Sequence, residues 1–182
     1  MDAARGPVVV DGWGRLADEV SAQLRRCRVE VRAGAHAADA AELALAAGSP
    51  APSAVVLVSD GHRPGWVDAP SLAAPWESAG VPVLPLAGGD GSVVVGPLVV
   101  PGRSPCLGCA AGAVPRPGPR AADPPTVVLA AAVAVVVTFA VGRGDLSLAG
   151  VSTEVGPRGT SVLHRVWTSR PGCRCSSVRM AG

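Results

Sequence analysis

Short unbroken apolar runs, each closed by glycine or aspartate, set the rhythm of the first half of this chain. Val8-Val9-Val10 runs into Asp11-Gly12-Trp13-Gly14, Val29-Glu30-Val31 into Arg32-Ala33-Gly34, and Val55-Val56-Leu57-Val58 into Ser59-Asp60-Gly61. Apolar runs without polar alternation belong to strands covered on both faces. After the first run, Leu16, Val20 and Leu24 recur at helical spacing, with Asp18, Glu19, Arg25 and Arg26 opposite. Ala37 to Ala47 reads as an alanine-rich helix, closed by Gly48-Ser49-Pro50. Strand, helix, strand, helix, strand predicts an α/β fold: a Rossmann-like, mostly parallel sheet flanked by helices.

The second half changes character. A loop carrying Trp66, Pro70, Pro75 and Trp76 leads to Val81-Pro82-Val83-Leu84-Pro85-Leu86, whose prolines predict a sheet edge or strand ends. Gly88-Gly89-Asp90-Gly91 turns the chain into Ser92-Val93-Val94-Val95. Ala110 to Pro125 is a proline- and glycine-rich crossover loop. From Thr126 to Val141 no charge appears; Asp123-Pro124-Pro125 supplies a helix start and Gly142-Arg143-Gly144 a stop. That run is shorter than the roughly 20 residues a membrane span needs. A buried helix over 126–142 is expected, set against the sheet and a partner subunit. Leu146 to Glu154 and Thr160 to Trp167 alternate as an antiparallel pair turning at Gly156-Pro157-Arg158-Gly159, a C-terminal extension of the sheet. Residues 1–182 read as a single domain: the Rossmann-like half at 8–95, a cysteine knuckle and crossover loop at 96–125, the helix, and the antiparallel strands with a second cysteine pair at 146–175.

Composition narrows the chemistry. All 16 basic residues are arginine; lysine, asparagine, isoleucine and tyrosine are absent. Schiff-base lysines and phosphate-gripping lysines are thereby excluded. A net charge of +2 is too small to predict a nucleic-acid or membrane partner. Five cysteines in 182 residues do not make a disulfide scaffold. No signal-peptide pattern precedes Val8, so a reducing, cytoplasmic setting is expected.

Four of those cysteines form two pairs, Cys106-Leu107-Gly108-Cys109 and Cys173-Arg174-Cys175, both set among glycine and proline. Tight turns let paired side chains converge on one point. Together the pairs supply the four sulfurs of a closed tetrahedral zinc site, fixing the tail to a distant segment. A disulfide pair or buried free thiols are the alternatives. The fifth, Cys27, lies between Arg26 and Arg28 and reads as a helix-end filler. His36, His62 and His164 have no partner at metal or triad spacing. Trp66 and Trp76 suit either a binding ledge or packing over a sheet edge. The tail arginines 158, 165, 170, 174 and 179 read as a solvated face.

The order of these elements, with Val95-Gly96-Pro97-Leu98 through Cys109 and the late Cys-x-Cys, resembles the ThiF/MoeB-like superfamily of adenylating enzymes, related to the ubiquitin-activating enzymes. More narrowly it resembles the degenerate ThiF-like cyclodehydratase partner proteins that accompany YcaO enzymes in azole-forming bacteriocin and thiopeptide biosynthesis. The resemblance implies a structural zinc at Cys106, Cys109, Cys173 and Cys175. It also implies a phosphate loop, for which Gly12, Gly14 and Ala17 fit, and a magnesium-binding aspartate, for which Asp60 fits. A carboxylate expected after the second strand is missing from Val31-Arg32-Ala33-Gly34, and the expected lysine does not exist. Gly12, Gly14 and Asp60 therefore read as a vestigial nucleotide site, with ATP not expected as a cofactor.

The function this implies is a catalytically silent zinc protein, a homodimer that holds a precursor peptide or a YcaO-type enzyme. Two alternatives stand beside it: a divergent ATP-dependent adenylating enzyme, and a purely structural zinc-stabilised dimer subunit. The winged-helix module by which many such partners hold a leader peptide is not seen before Val8. Leader binding would then fall to another polypeptide or another surface.

Overall fold

The computed structural model describes residues 6–61, 64–111, 120–173 and 175. One seven-stranded sheet organises them, in the order β2-β1-β3-β4-β5-β6-β7. Its strands are β1 (Val8–Asp11), β2 (Val31–Gly34), β3 (Ala54–Asp60), β4 (Val83–Gly89), β5 (Ser92–Val95), β6 (Val151–Val155) and β7 (Val162–Val166). The first four pair in parallel and the last three antiparallel. This is the mixed α/β architecture the apolar runs predict. Val29 and Glu30 precede the observed β2, which runs through the polar end of its segment. Its four residues are partly or fully exposed, because β2 is the sheet edge.

Helices cover both faces. On one, α1 (Arg15–Arg26) and α6 (Pro124–Gly142) pack over Val8, Val10, Val56, Leu84, Leu86 and Val93. Leu16, Val20 and Leu24 form the buried stripe of α1, at the spacing read from the sequence. On the other, α2 (Ala37–Ala46), α3 (Gly65–Asp68), α4 (Ala74–Ser78) and α5 (Leu107–Ala110) enclose Val9, Val55, Val83, Trp66 and Trp76. Successive residues of one strand thus feed two separate cores, which is why Val8-Val9-Val10 must be apolar throughout.

Pro85 corrects the expectation that β4 is an edge. It sits inside a central strand, opposite Leu57 of β3. The Pro85 carbonyl accepts the Gly96 N–H at 2.7 Å. A residue's N–H and C=O leave a strand on the same side, so the missing donor faces Gly96-Pro97, where the neighbouring chain bends away. A side chain at Gly96, whose φ is +93°, would strike the Val151 carbonyl at 2.7 Å. Beyond the bend the chain returns beside β4, where Val99 and Val83 exchange two backbone hydrogen bonds of 2.8 and 2.9 Å. The return delivers it to the first cysteine pair.

Helix α6 lies against the sheet with one face open. Asp123 caps it, accepting the Thr126 N–H at 3.0 Å and the Thr126 hydroxyl at 2.9 Å, while its other oxygen accepts the Arg158 N–H at 2.8 Å. One face, including Ala130, Ala131 and Ala134, is buried. The opposite face leaves Val128, Val136 and Phe139 open to solvent, Val136 by 64%. The expected buried helix is therefore buried on one side within this chain. By length and composition it would suffice to cross a membrane, and 39% of its most apolar window is buried against the sheet and α1.

The Asp123 carboxyl lies below its ordinary value of 3.8, chiefly through the Thr126 N–H. A depressed carboxyl adds stability above its unfolded pKa and loses it as pH falls through the folded one. Asp123→Ala should lower the thermal midpoint at neutral pH, and the gap from wild type should close below pH 3.8, read by circular dichroism. Leu86→Ala, at a fully buried position, should cost about 2–5 kcal/mol in chemical denaturation.

Candidate metal centre and nucleotide crevice

Ser104 shapes the knuckle that holds Cys106 and Cys109. Its buried hydroxyl accepts the Val100 N–H at 2.7 Å, closing the turn through Gly102. Leu107, fully buried in the core beside Trp76, anchors α5, so Cys106 stands at its N-terminus and Cys109 one turn on. The Glu77 carboxylate of α4 accepts the Leu107 N–H, and burial holds its pKa above the ordinary glutamate value. From the other direction, Trp167 ties the chain leaving β7 to the sheet. Its backbone N–H reaches the Gly150 carbonyl and its indole N–H the Ser152 hydroxyl, both at 2.8 Å.

The two ends meet at sulfur. The Sγ atoms of Cys106, Cys109, Cys173 and Cys175 lie within 4.8 Å of one another. Cys106 to Cys173 is 3.6 Å, Cys109 to Cys175 is 3.7 Å, and Cys173 to Cys175 is 3.3 Å. A tetrahedral thiolate site with metal–sulfur bonds of about 2.3 Å needs sulfurs roughly 3.8 Å apart. Disulfides need about 2.05 Å, so the separations suit an ion between the sulfurs and not bonds between them. These four cysteines could hold a metal ion. The Arg170 N–H also donates to the Cys109 sulfur at 3.2 Å, an outer contact that orients a ligand.

Ionisation supports the same reading. Burial pushes the Cys106 thiol up to about 12 and raises Cys109. Cys175 goes the other way, to about 7, since hydrogen bonds from Ser169, Cys106, Cys173 and Cys109 together outweigh its own burial. Protein groups alone thus oppose ionisation at Cys106 and Cys109 and favour it at Cys175. Four thiolates at these distances require a cation.

A second site lies where the strand order reverses between β1 and β3, at the carboxyl ends where doubly wound sheets take ligands. Gly12 and Gly14 form the turn into α1, both at positive φ. A Cβ on Gly12 would press on the Val58 carbonyl at 2.5 Å, and one on Gly14 would meet the Asp60 carboxylate at 3.3 Å. The fold thus brings Gly12, Gly14 and Asp60 together as the sequence suggests. Of the three, only Gly12 lines the cavity that opens beside them, and the rest of its lining departs from a nucleotide site. Asp11, Asp39 and Glu42 line the crevice with Trp13, Trp66, Leu72 and Trp76, and none of its described lining residues is basic. Asp11 accepts the Ala38 N–H at 3.0 Å, so a carboxylate already occupies the N-terminus of α2. Its burial holds that carboxyl above the usual aspartate range.

Other candidates scatter. Cys27 caps the end of α1 and is exposed, so it fills no core. His36 faces Asp39 at 3.3 Å, and His164 faces the Thr153 hydroxyl at 2.9 Å. His62, Arg174, Arg179 and residues 112–119 of the crossover loop lie outside the described residues. Trp66 and Trp76 are buried, and they floor the crevice as well as filling the core. Sequence reading missed Glu77, Ser104 and Ser169, since single polar residues outside any motif carry no signal of what they support.

No family model and no curated protein matches the chain. Solved structures do. A heterocyclase in complex with substrate and cofactor is similar over 94% of this chain and 25% of its own, with TM-score 0.67 and 15% identity. The heterocyclase TruD gives 0.62 and 17%, over 94% of this chain and 27% of its own. MccB of E. coli gives 0.62 and 15%, over 93% and 64%. The chain therefore has the fold of these proteins while spanning about a quarter of the heterocyclases and just under two thirds of MccB.

Glu77→Ala should free the Leu107 N–H and loosen the Cys106 turn, at a cost of about 1 kcal/mol given the partial exposure. Faster reaction of the metal-free protein with a thiol reagent would register it.

Proposed function

We propose that this protein is a catalytically silent, zinc-holding partner in the maturation of a ribosomally made peptide, binding the precursor peptide or the enzyme that modifies it. The carrying observation is the four-sulfur cluster, joined to a fold shared with heterocyclases and MccB. Zinc is the metal we assign. It accepts four thiolates without redox chemistry, and a reducing cytoplasm would keep the cysteines available for it. Cys106, Cys109, Cys173 and Cys175 would hold it. Once bound, it would supply the positive charge that ionises all four sulfurs and would tie the tail to the knuckle.

Silence follows from electrostatics at the crevice. Adenylation builds negative charge on a leaving pyrophosphate and needs positive groups aimed at it. Here carboxylates line the crevice instead, and the chain has no lysine. Gly12, Gly14 and Asp60, standing together, favour the second reading, a divergent adenylating enzyme, and ATP–pyrophosphate exchange separates the two. No exchange with candidate carboxylates is expected. Pull-down with a precursor peptide and a YcaO-type enzyme should capture one of them; silence with both would overturn the partner reading.

The open face of α6 we assign to a second copy of the chain, which would cover Val128, Val136 and Phe139. Val136→Arg should convert a dimer to a monomer in light scattering. Metal analysis should find stoichiometric zinc, lost in Cys106→Ser and Cys175→Ser. Chelation should cost on the order of several kcal/mol of stability.

A further inference from the structure

The crevice at the carboxyl ends of β1 and β3 is a cavity of about 230 Å³, below the roughly 300–1,000 Å³ of pockets that enclose drug-sized ligands. It is sized for one side chain or a small fragment. Its floor is aromatic, with Trp66 and Trp76 buried beneath it. At its rim stand two of the larger exposed apolar side chains of the protein, Trp13 at 64% and Leu72 at 60%. The charged groups among the described lining residues are of one sign. Asp11 stands at the end of β1 with one oxygen on the Ala38 N–H, and Asp39 and Glu42 project from the same side of α2.

An anion entering would meet carboxylates of its own sign. A neutral apolar group would leave a half-buried Asp11 uncompensated, at a desolvation cost. A cation satisfies both parts of the surface, donating charge-assisted hydrogen bonds to the carboxylates and stacking on indole. Guanidinium suits this best, being planar, weakly hydrated and carried on an apolar stem. We propose that the crevice binds a cationic side chain, an arginine presented by an apolar peptide segment, in the space where the fold would otherwise place a nucleotide.

This deepens the partner reading and rests on it, since it names the feature of the peptide that this chain would hold. Calorimetry on the full chain with the amidated tripeptide Leu-Arg-Leu should give saturable binding that weakens as salt rises. Leu-citrulline-Leu, the same shape without charge, should bind on the order of tenfold more weakly. Glu42→Gln and Asp39→Asn, both surface changes on α2, should each weaken the arginine peptide, and Trp13→Ala should weaken both peptides. Equal affinity for the arginine and citrulline peptides would overturn the proposal, as would no saturable binding of either, or magnesium–ATP displacing the arginine peptide. A whole precursor that binds wild type and Glu42→Gln equally would sink the crevice assignment while leaving the partner reading intact.

Discussion

Four sulfurs drawn to within 4.8 Å of one another govern how β7 and the segment after it are held. Strand β7 has no buried residue, and Leu163 and Val166 stand mostly in solvent. Burial therefore contributes little to keeping β7 and the segment after it in place. Their hold comes from the ladder to β6, the two Trp167 hydrogen bonds and the cysteine cluster. Of these, only the cluster spans from the tail to the knuckle between β5 and α6. Bunched thiols without a cation keep most of their protons, so the strength of this tether is set by whatever ion balances the charge.

The same charge accounting divides the molecule's two sites. At the knuckle, sulfur and backbone N–H groups gather around a place that suits a cation. At the crevice, carboxylates and indole rings do so in a different geometry, open and one-sided. A doubly wound sheet offers ligands its carboxyl-end crevice whatever its sequence; the side chains decide the ligand's sign. Glycine turns at Gly12 and Gly14 preserve the backbone shape of a phosphate loop. Asp11, Asp39 and Glu42 reverse its charge. Shape and charge have come apart, and charge decides what can enter.

Much of this was legible in the sequence because period and punctuation are local signals. The runs at Val8, Val55 and Val93, the α1 stripe, and the Asp123-Pro124 start of α6 each report their own surroundings. Cysteine spacing also read correctly, since two pairs among glycines leave few other ways to converge. Pro85 misled because a missing donor says nothing of which neighbour it faces; a bend at Gly96, distant in sequence, removes the need for that donor. Helix α6 was legible as a helix against the sheet but not by face, because it is apolar on every side, and hydrophobicity without periodicity cannot tell which face the chain itself covers. The crevice misled most. Asp39 and Glu42 belong to no motif, and only the fold shows that they border a cavity floored by tryptophan.

That last case bears on how degenerate sites should be judged. Counting lost motif residues, here a ribose carboxylate and a lysine, measures only what a crevice no longer does. The carboxylates that line the crevice are not a neutral background. A half-buried Asp11 whose carboxyl is raised by burial sits in the protein at a cost, and so do exposed Trp13 and Leu72 beside it. The structural role of Asp11 in the fold is to accept the Ala38 N–H at the start of α2, which a neutral acceptor could also do. Val8 to Val10 and α2 would pack as well with asparagine at position 11. Charge and aromatic surface together, on a cavity the size of one side chain, fit a crevice that takes a cation better than one that takes nothing.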